Sequence, residues 1–146
     1  MLKKNLYMFN SKNILYILTM LESIEKICIY SSGFEDEEQF YFANKQLNFN
    51  ATVNLLIVIG EENKKIDDNL KISNEINWKN ISAMRDKISH NYRGIDESMV
   101  WEILQDYLPK LKKLLIDMLP QIENYQTCIH EALKTQYYEE LYFLKG

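Results

Sequence analysis

At 146 residues the chain is long enough to bury one substantial core and falls within the usual single-domain range. Hydrophobic residues at 47% and charged residues at 26% describe a globular chain and exclude a disordered tail. A net charge of −4 excludes a protein that coats nucleic acid by bulk electrostatics, while leaving room for a compact basic site on an acidic body.

With only 4 Gly and 2 Pro there is little turn punctuation, which disfavours sandwiches and barrels and predicts an all-α protein. Ser11 is the expected N-cap of a first helix. Ile14, Leu15, Ile17, Leu18, Leu21, Ile24 and Ile27 recur at three- and four-residue spacing on its apolar face, and Ser31-Ser32-Gly33 ends it. Glu35 to Glu38 place acids where a second helix dipole favours them. That helix is predicted to be unusually long, carrying Phe40, Ala43, Leu47, Ala51, Leu55 and Ile59, with an extension through Gly60 to about Leu70.

Asp67 to Asn77 reads mostly as a loop. A third helix starts near Trp78, buries Ile81, Met84 and Ile88, and stops at Tyr92-Arg93-Gly94. Asp96 caps the next helix, which turns Met99, Val100, Ile103 and Leu104 inward. Pro109 kinks it or opens a new helix bearing Leu111, Leu114, Leu115, Met118 and Leu119. Residues 120–146 are expected to add one C-terminal helix with Tyr125, Ile129, Leu133, Tyr137, Tyr138, Leu141, Tyr142 and Phe143. No repeat, low-complexity tract or linker divides the chain, so residues 1–146 are read as a single helical domain.

Cys28 and Cys128 follow no zinc or redox spacing and sit in apolar, helix-like surroundings, where a small buried thiol in a reducing cytosol is the simplest reading. The N-terminal stretch lacks the apolar run and cleavage site of a signal peptide. The longest apolar stretch, Leu55 to Ile59, is far short of a membrane span. The expectation is a cytoplasmic protein without membrane association.

Two histidines and no cluster of acids or thiols at ligand spacing argue against a metal site, and no glycine loop or nucleophile elbow is present, so no cofactor is expected. Chemistry concentrates in the segment Met84-Arg85-Asp86-Lys87-Ile88-Ser89-His90-Asn91-Tyr92-Arg93-Gly94. Singly, each residue has a plain explanation: a half-buried histidine, a core aromatic, a solvated charged face. Together they form R-x4-H-x-Y, from Arg85 through His90 to Tyr92. Around it stand Ile59-Gly60-Glu61, Asn77-Trp78-Lys79-Asn80-Ile81 with Met84-Arg85-Asp86, Ile95-Asp96, Val100-Trp101 and Leu108-Pro109.

In this order, over roughly Leu47 to Leu119, these elements resemble the HepT-like HEPN toxins. Residues beyond Pro120 extend past what that family leads one to expect. The resemblance implies an up-and-down helical bundle that forms a homodimer, with metal-independent RNA cleavage at the dimer cleft. It also implies a minimal nucleotidyltransferase antitoxin as partner, which transfers AMP to Tyr92. The residues themselves are compatible with such chemistry. His90 exchanges protons near neutrality, and Arg85 offers a planar fork for a phosphate. Asp86, four residues before His90, is placed to orient an imidazole, and Asn91 to position a phosphate or base. Lys79, Lys87 and Arg93 are candidates to hold flanking RNA backbone. Five residues on a helix correspond to roughly 140° around the axis, so Arg85 and His90 do not share a face. Either the helix loosens near His90 or two copies of the segment combine. Two other readings stay open: a catalytically silent HEPN module that binds and is modified by a nucleotidyltransferase, and a plain helical interaction protein. A short nucleotidyltransferase reading frame beside this one would eliminate the last.

Overall fold

The structure is a computed structural model that describes residues 9–90 and 94–145, with the side chains of Ser89 and His90 outside the description. Its regular elements are all helical: α1 (Lys12–Ser31), α2 (Glu37–Phe42), α3 (Leu47–Lys65), α4 (Trp78–His90), α5 (Glu97–Glu102), α6 (Leu108–Met118) and α7 (Tyr125–Ala132). The described residues contain no strand. One parallel bridge joins Phe9 to Ile122, through Phe9 N–H to the Gln121 carbonyl at 3.1 Å and Glu123 N–H to the Phe9 carbonyl at 2.9 Å.

α1 is the central helix. Ile14, Ile17, Leu18, Met20, Leu21, Ile24 and Ile27 are all at most 1% exposed, packed mainly against α3 and also against α6 and the C-terminal segment. Leu15 lies outside this stripe at 54% exposure, because one residue turns a helix by about 100° away from Ile14. The same displacement puts Cys28, next to buried Ile27, on the surface, so the expected buried thiol is found only in part: Cys28 is exposed and Cys128 half-buried, both free. At the start of α1 the first N–H to be capped is that of Lys12, which donates to Asn10 Oδ1 at 2.8 Å. Ser11 itself is already helical and makes no side-chain cap.

The expected long second helix is broken. Asn44, Lys45 and Gln46 take left-handed angles (φ 51°, 57° and 69°), reversing the chain between α2 and α3. Such a conformation costs roughly 1–2 kcal/mol per non-glycine residue. The corner is held by surrounding contacts. Asn44 Nδ2 donates to Asn48 Oδ1 at 2.8 Å, and Asn48 Nδ2 donates to the Tyr30 carbonyl at 2.8 Å. Phe40 sits among Phe34, Phe49 and Trp101, with ring centroids 5.7, 6.0 and 5.8 Å away. The break resets the helical phase. The buried face of α3 therefore runs through Phe49, Thr52, Val53, Leu56, Ile59, Gly60 and Asn63, while Leu47 is exposed. α3 does pass through Gly60, but it ends at Lys65. Beyond it, Asp67 Oδ1 accepts the Asn69 N–H at 2.9 Å and starts a short 3₁₀ turn over Asp68–Leu70.

α4 buries Ile81 and Ile88 as expected. Asp96 caps α5 by accepting the N–H groups of Ser98 at 2.9 Å and Met99 at 3.3 Å. Between α5 and α6 the backbone widens into a π turn over Ile103–Tyr107, so that Pro109 begins α6 rather than kinking α5. The residues after Pro120 do not make one helix. α7 stops at Ala132, and a separate 3₁₀ segment, Gln136–Lys145, folds back on α1. Leu141 is fully buried there, the Tyr138 hydroxyl lies 3.1 Å from Thr19 Oγ1, and Lys26, ion-paired with buried Glu22, sits 5.0 Å from the Tyr137 ring centre. No helix among the described residues is long and apolar enough to cross a membrane.

Candidate functional site

The site is built where α3 and α4 cross. A Cβ added to Gly60 would stand 2.4 Å from Arg85 Cβ and 3.1 Å from the Ile81 carbonyl oxygen, so the two helices approach as closely as a glycine permits. The arginine stem therefore lies directly on the α3 backbone. The arginine side chain is 32% exposed overall, and its guanidinium meets two carboxylates: the buried Nε pairs with Glu61 and Nη1 donates to Asp86 Oδ1 at 2.9 Å. The same Asp86 oxygen is 3.3 Å from Lys64 Nζ, one turn beyond Gly60 on α3. Glu61, Arg85, Asp86 and Lys64 thus alternate in sign. The hydrogen bond from Arg85, and then that from Lys64, hold the Asp86 carboxyl below the usual aspartate range.

Below this network the crossing is fixed by buried Asn63, whose amide donates to the Trp78 carbonyl at 3.0 Å and to Ser82 Oγ at 3.1 Å. Lys71 reaches back to the Asn63 carbonyl at 2.9 Å. From the other side the Tyr107 hydroxyl, in the π turn, donates to the Asn77 carbonyl at 2.9 Å, and burial raises its phenol pKa. The start of α4, and with it the register of Arg85, is therefore held from two directions.

Of the residues singled out in the sequence, Arg85 and Asp86 stand together in this network. The backbone of α4 stays helical through His90, which leaves Arg85 and His90 about 140° apart around its axis. The His90 side chain, and Asn91, Tyr92 and Arg93 altogether, lie outside the described residues. Lys79 and Lys87 do not form one patch. Lys79 lines a large cleft with Lys64 and Lys71, whereas Lys87 borders a small hollow beside Ile88, Gly94 and Met99 at the other end of α4. Glu61 and Lys64 received no role from the sequence, because their importance depends on what lies across the crossing. The available signal was Gly60, a glycine inside a run of strong helix formers, which marks a close approach.

The profile described as "Ribonuclease HepT-like" matches residues 20–118, more than half of the chain and all of the crossing. A protein named putative RNase from Methanocaldococcus jannaschii is 33% identical over 110 residues, covering 75% of this chain and 88% of its own length. A probable ribonuclease HepT from Thermococcus cleftensis is 33% identical over 100 residues, covering 66% of this chain and 86% of its own length. A putative RNase from Caldanaerobacter subterraneus is 28% identical over 105 residues, 71% of this chain and 91% of its own length. No solved structure gives a significant match. With the profile running from within α1 to the end of α6, and with relatives named as ribonucleases matched over most of their length, the chain belongs to the HepT-like ribonuclease family.

Proposed function

We propose that the protein is the toxin of a toxin–antitoxin pair, a cytoplasmic metal-independent endoribonuclease that acts as a homodimer. The observation that carries this reading is Arg85, clamped against Gly60 with its side chain partly exposed, five residues before His90 on one helix in a chain of this family. The 2′-hydroxyl of the substrate attacks the adjacent phosphorus and the bond to the 5′-oxygen breaks, leaving a 2′,3′-cyclic phosphate and a free 5′-hydroxyl. His90 takes the proton from the 2′-oxygen or delivers one to the departing 5′-oxygen. Arg85 stabilises the charge that builds on the phosphoryl oxygens, exchanging its contact with Asp86 for the phosphate. The offset of about 140° between the two side-chain positions favours pairing Arg85 of one copy with His90 of a second across a two-fold axis. Asp86 and Asn91 are assigned supporting roles, and Lys79, Lys87 and Arg93 contacts to flanking RNA.

Regulation follows the family resemblance. A minimal nucleotidyltransferase antitoxin transfers AMP from ATP to Tyr92: the phenol oxygen bonds to the α-phosphorus, pyrophosphate leaves, and the phenol proton passes to solvent. The added charge and bulk exclude RNA. Arg85 and Tyr92 are seven residues apart in the sequence, the spacing of residues that share a helix face.

The two carboxylates on Arg85 favour a second reading, a catalytically silent module modified by its partner. Incubation of the purified protein with total RNA in EDTA separates the two. Cleavage that disappears in His90→Ala and in Arg85→Ala supports the ribonuclease. Intact RNA, with AMP adducts still formed by the partner and ATP, supports the silent module. Adducts that persist in Tyr92→Phe would move the modification to another residue.

A further inference from the structure

Beside the Arg85 network lies a cleft of about 920 Å³, bounded by the last turn of α3, the segment after it and the first turn of α4. It is near the upper end of the about 300–1,000 Å³ typical of ligand pockets. We propose that this cleft is a binding groove for the phosphodiester backbone of single-stranded RNA, carrying the strand away from Arg85; the proposal rests on the ribonuclease reading.

Four features point to that ligand. The first is its cations. Lys64, Lys71 and Lys79 all line the cleft. Lys71 is built in, its side chain 9% exposed and its ammonium held by the Asn63 carbonyl. Lys79 is exposed and makes no ion pair among the described residues. The carboxylates on the lining, Asp68 and Glu75, are exposed, and Asp68, which pairs with Lys71 at 3.1 Å, is 96% exposed, so solvent weakens their opposition.

The second is the wall. Ser82 Oγ accepts from buried Asn63 at 3.1 Å, which leaves its own hydroxyl proton to donate into the cleft. The third is Trp78, whose indole N–H is anchored on the Ser73 carbonyl at 3.2 Å, orienting a π face on which a base can stack without regard to sequence. The fourth is continuity. Lys64 belongs to both places, since Asp86 Oδ1 touches Lys64 Nζ at 3.3 Å and Arg85 Nη1 at 2.9 Å. A strand with one phosphate on Arg85 has its neighbouring phosphates at the mouth of the cleft. The alternating phosphate and base of a single strand match lysines beside one tryptophan; an acidic peptide would use the lysines and leave Trp78 idle.

The test is fluorescence anisotropy with a labelled single-stranded RNA in the His90→Ala background, so that the strand survives. Lys64→Gln with Lys79→Gln should weaken binding by about tenfold and flatten the dependence of log K on log salt by about 1.4, two single-strand phosphate contacts at roughly 0.7 each. Trp78→Ala should weaken binding by a similar factor with the salt slope unchanged. Lys134→Gln, exposed in the turn after α7, is the control. Circular dichroism verifies that each variant folds; both exchanged lysines are exposed, and Trp78→Phe, which keeps a stacking face, restores binding if Trp78→Ala is disturbed. Binding within twofold of the parent for the double lysine variant overturns the groove, as does loss of polyglutamate binding with RNA binding intact. If histidine-intact protein cleaves RNA, and the lysine and tryptophan exchanges leave both binding in the His90→Ala background and cleavage in the histidine-intact background unchanged, the groove alone fails. If it neither binds nor cleaves RNA, the ribonuclease reading fails with it.

Discussion

Gly60→Ala sets two effects of opposite sign against each other. Replacing a mid-helix glycine by alanine raises helix propensity by about 1 kcal/mol, and at an open position that gain would appear as extra stability. Here the new methyl would stand 2.4 Å from Arg85 Cβ, with backbone at 3.1 Å behind it. Neither is the far end of a flexible side chain, so α3 and α4 must separate. Overpacking of this kind costs typically 1–3 kcal/mol. The crossing also carries the Asn63 bonds to Trp78 and Ser82, which lengthen if the helices part. The two terms leave a net loss of about 0–2 kcal/mol, to which the weakened Asn63 bonds add, or up to roughly 8 °C in Tm for a domain of this size. Ribonuclease activity measured well below the transition should fall further than the small unfolded fraction explains, because Arg85 rides on the displaced backbone. Thermal unfolding followed by circular dichroism gives the sign directly. A variant with unchanged or higher Tm would show that propensity outweighs contact and that Gly60 does not set the position of Arg85.

Three further outcomes are expected. Lys45→Gly should raise the urea midpoint by the equivalent of about 0.5–1 kcal/mol, since glycine takes φ 57° without the penalty a lysine incurs; a lower midpoint would contradict the left-handed corner. In carboxyl NMR titration Asp86 should titrate below the ordinary aspartate value of about 3.9 and move upward in Arg85→Ala. A depressed carboxyl contributes stability above its unfolded pKa and loses it as pH falls through the folded value, so its share should vanish only below about pH 4. Leu141→Ala should destabilise by about 2–5 kcal/mol, the range for a fully buried leucine, as measured by urea unfolding. A loss under about 1 kcal/mol would mean that the segment after α7 is not part of the core.

From the sequence alone, the helical class, the start of α4 at Trp78, the Asp96 cap and most of the buried stripes of α1, α4 and α6 could be read. These are local properties: a period of 3.6 residues, a capping side chain two or three residues from the N–H it accepts, a scarcity of turn residues. The family could be read too, because its elements recur in a set order along the chain. The left-handed reversal at Asn44–Gln46 could not be read. No glycine marks it, and the aromatic packing of Phe40 against Phe49 and Trp101 that holds it joins residues distant in sequence. Missing that reversal put the α3 stripe out of phase and hid which of its residues face α4. Leu47 was expected inside and lies outside, while Glu61 and Lys64, unremarkable in sequence, meet Arg85 and Asp86 across the crossing. Arg85 and Asp86 were legible as a motif, but their partners and the cleft shared with Lys71, Lys79 and Trp78 belong to an angle between two helices. Periodicity specifies which face of a helix is buried; only packing decides which helix lies against it and at what distance.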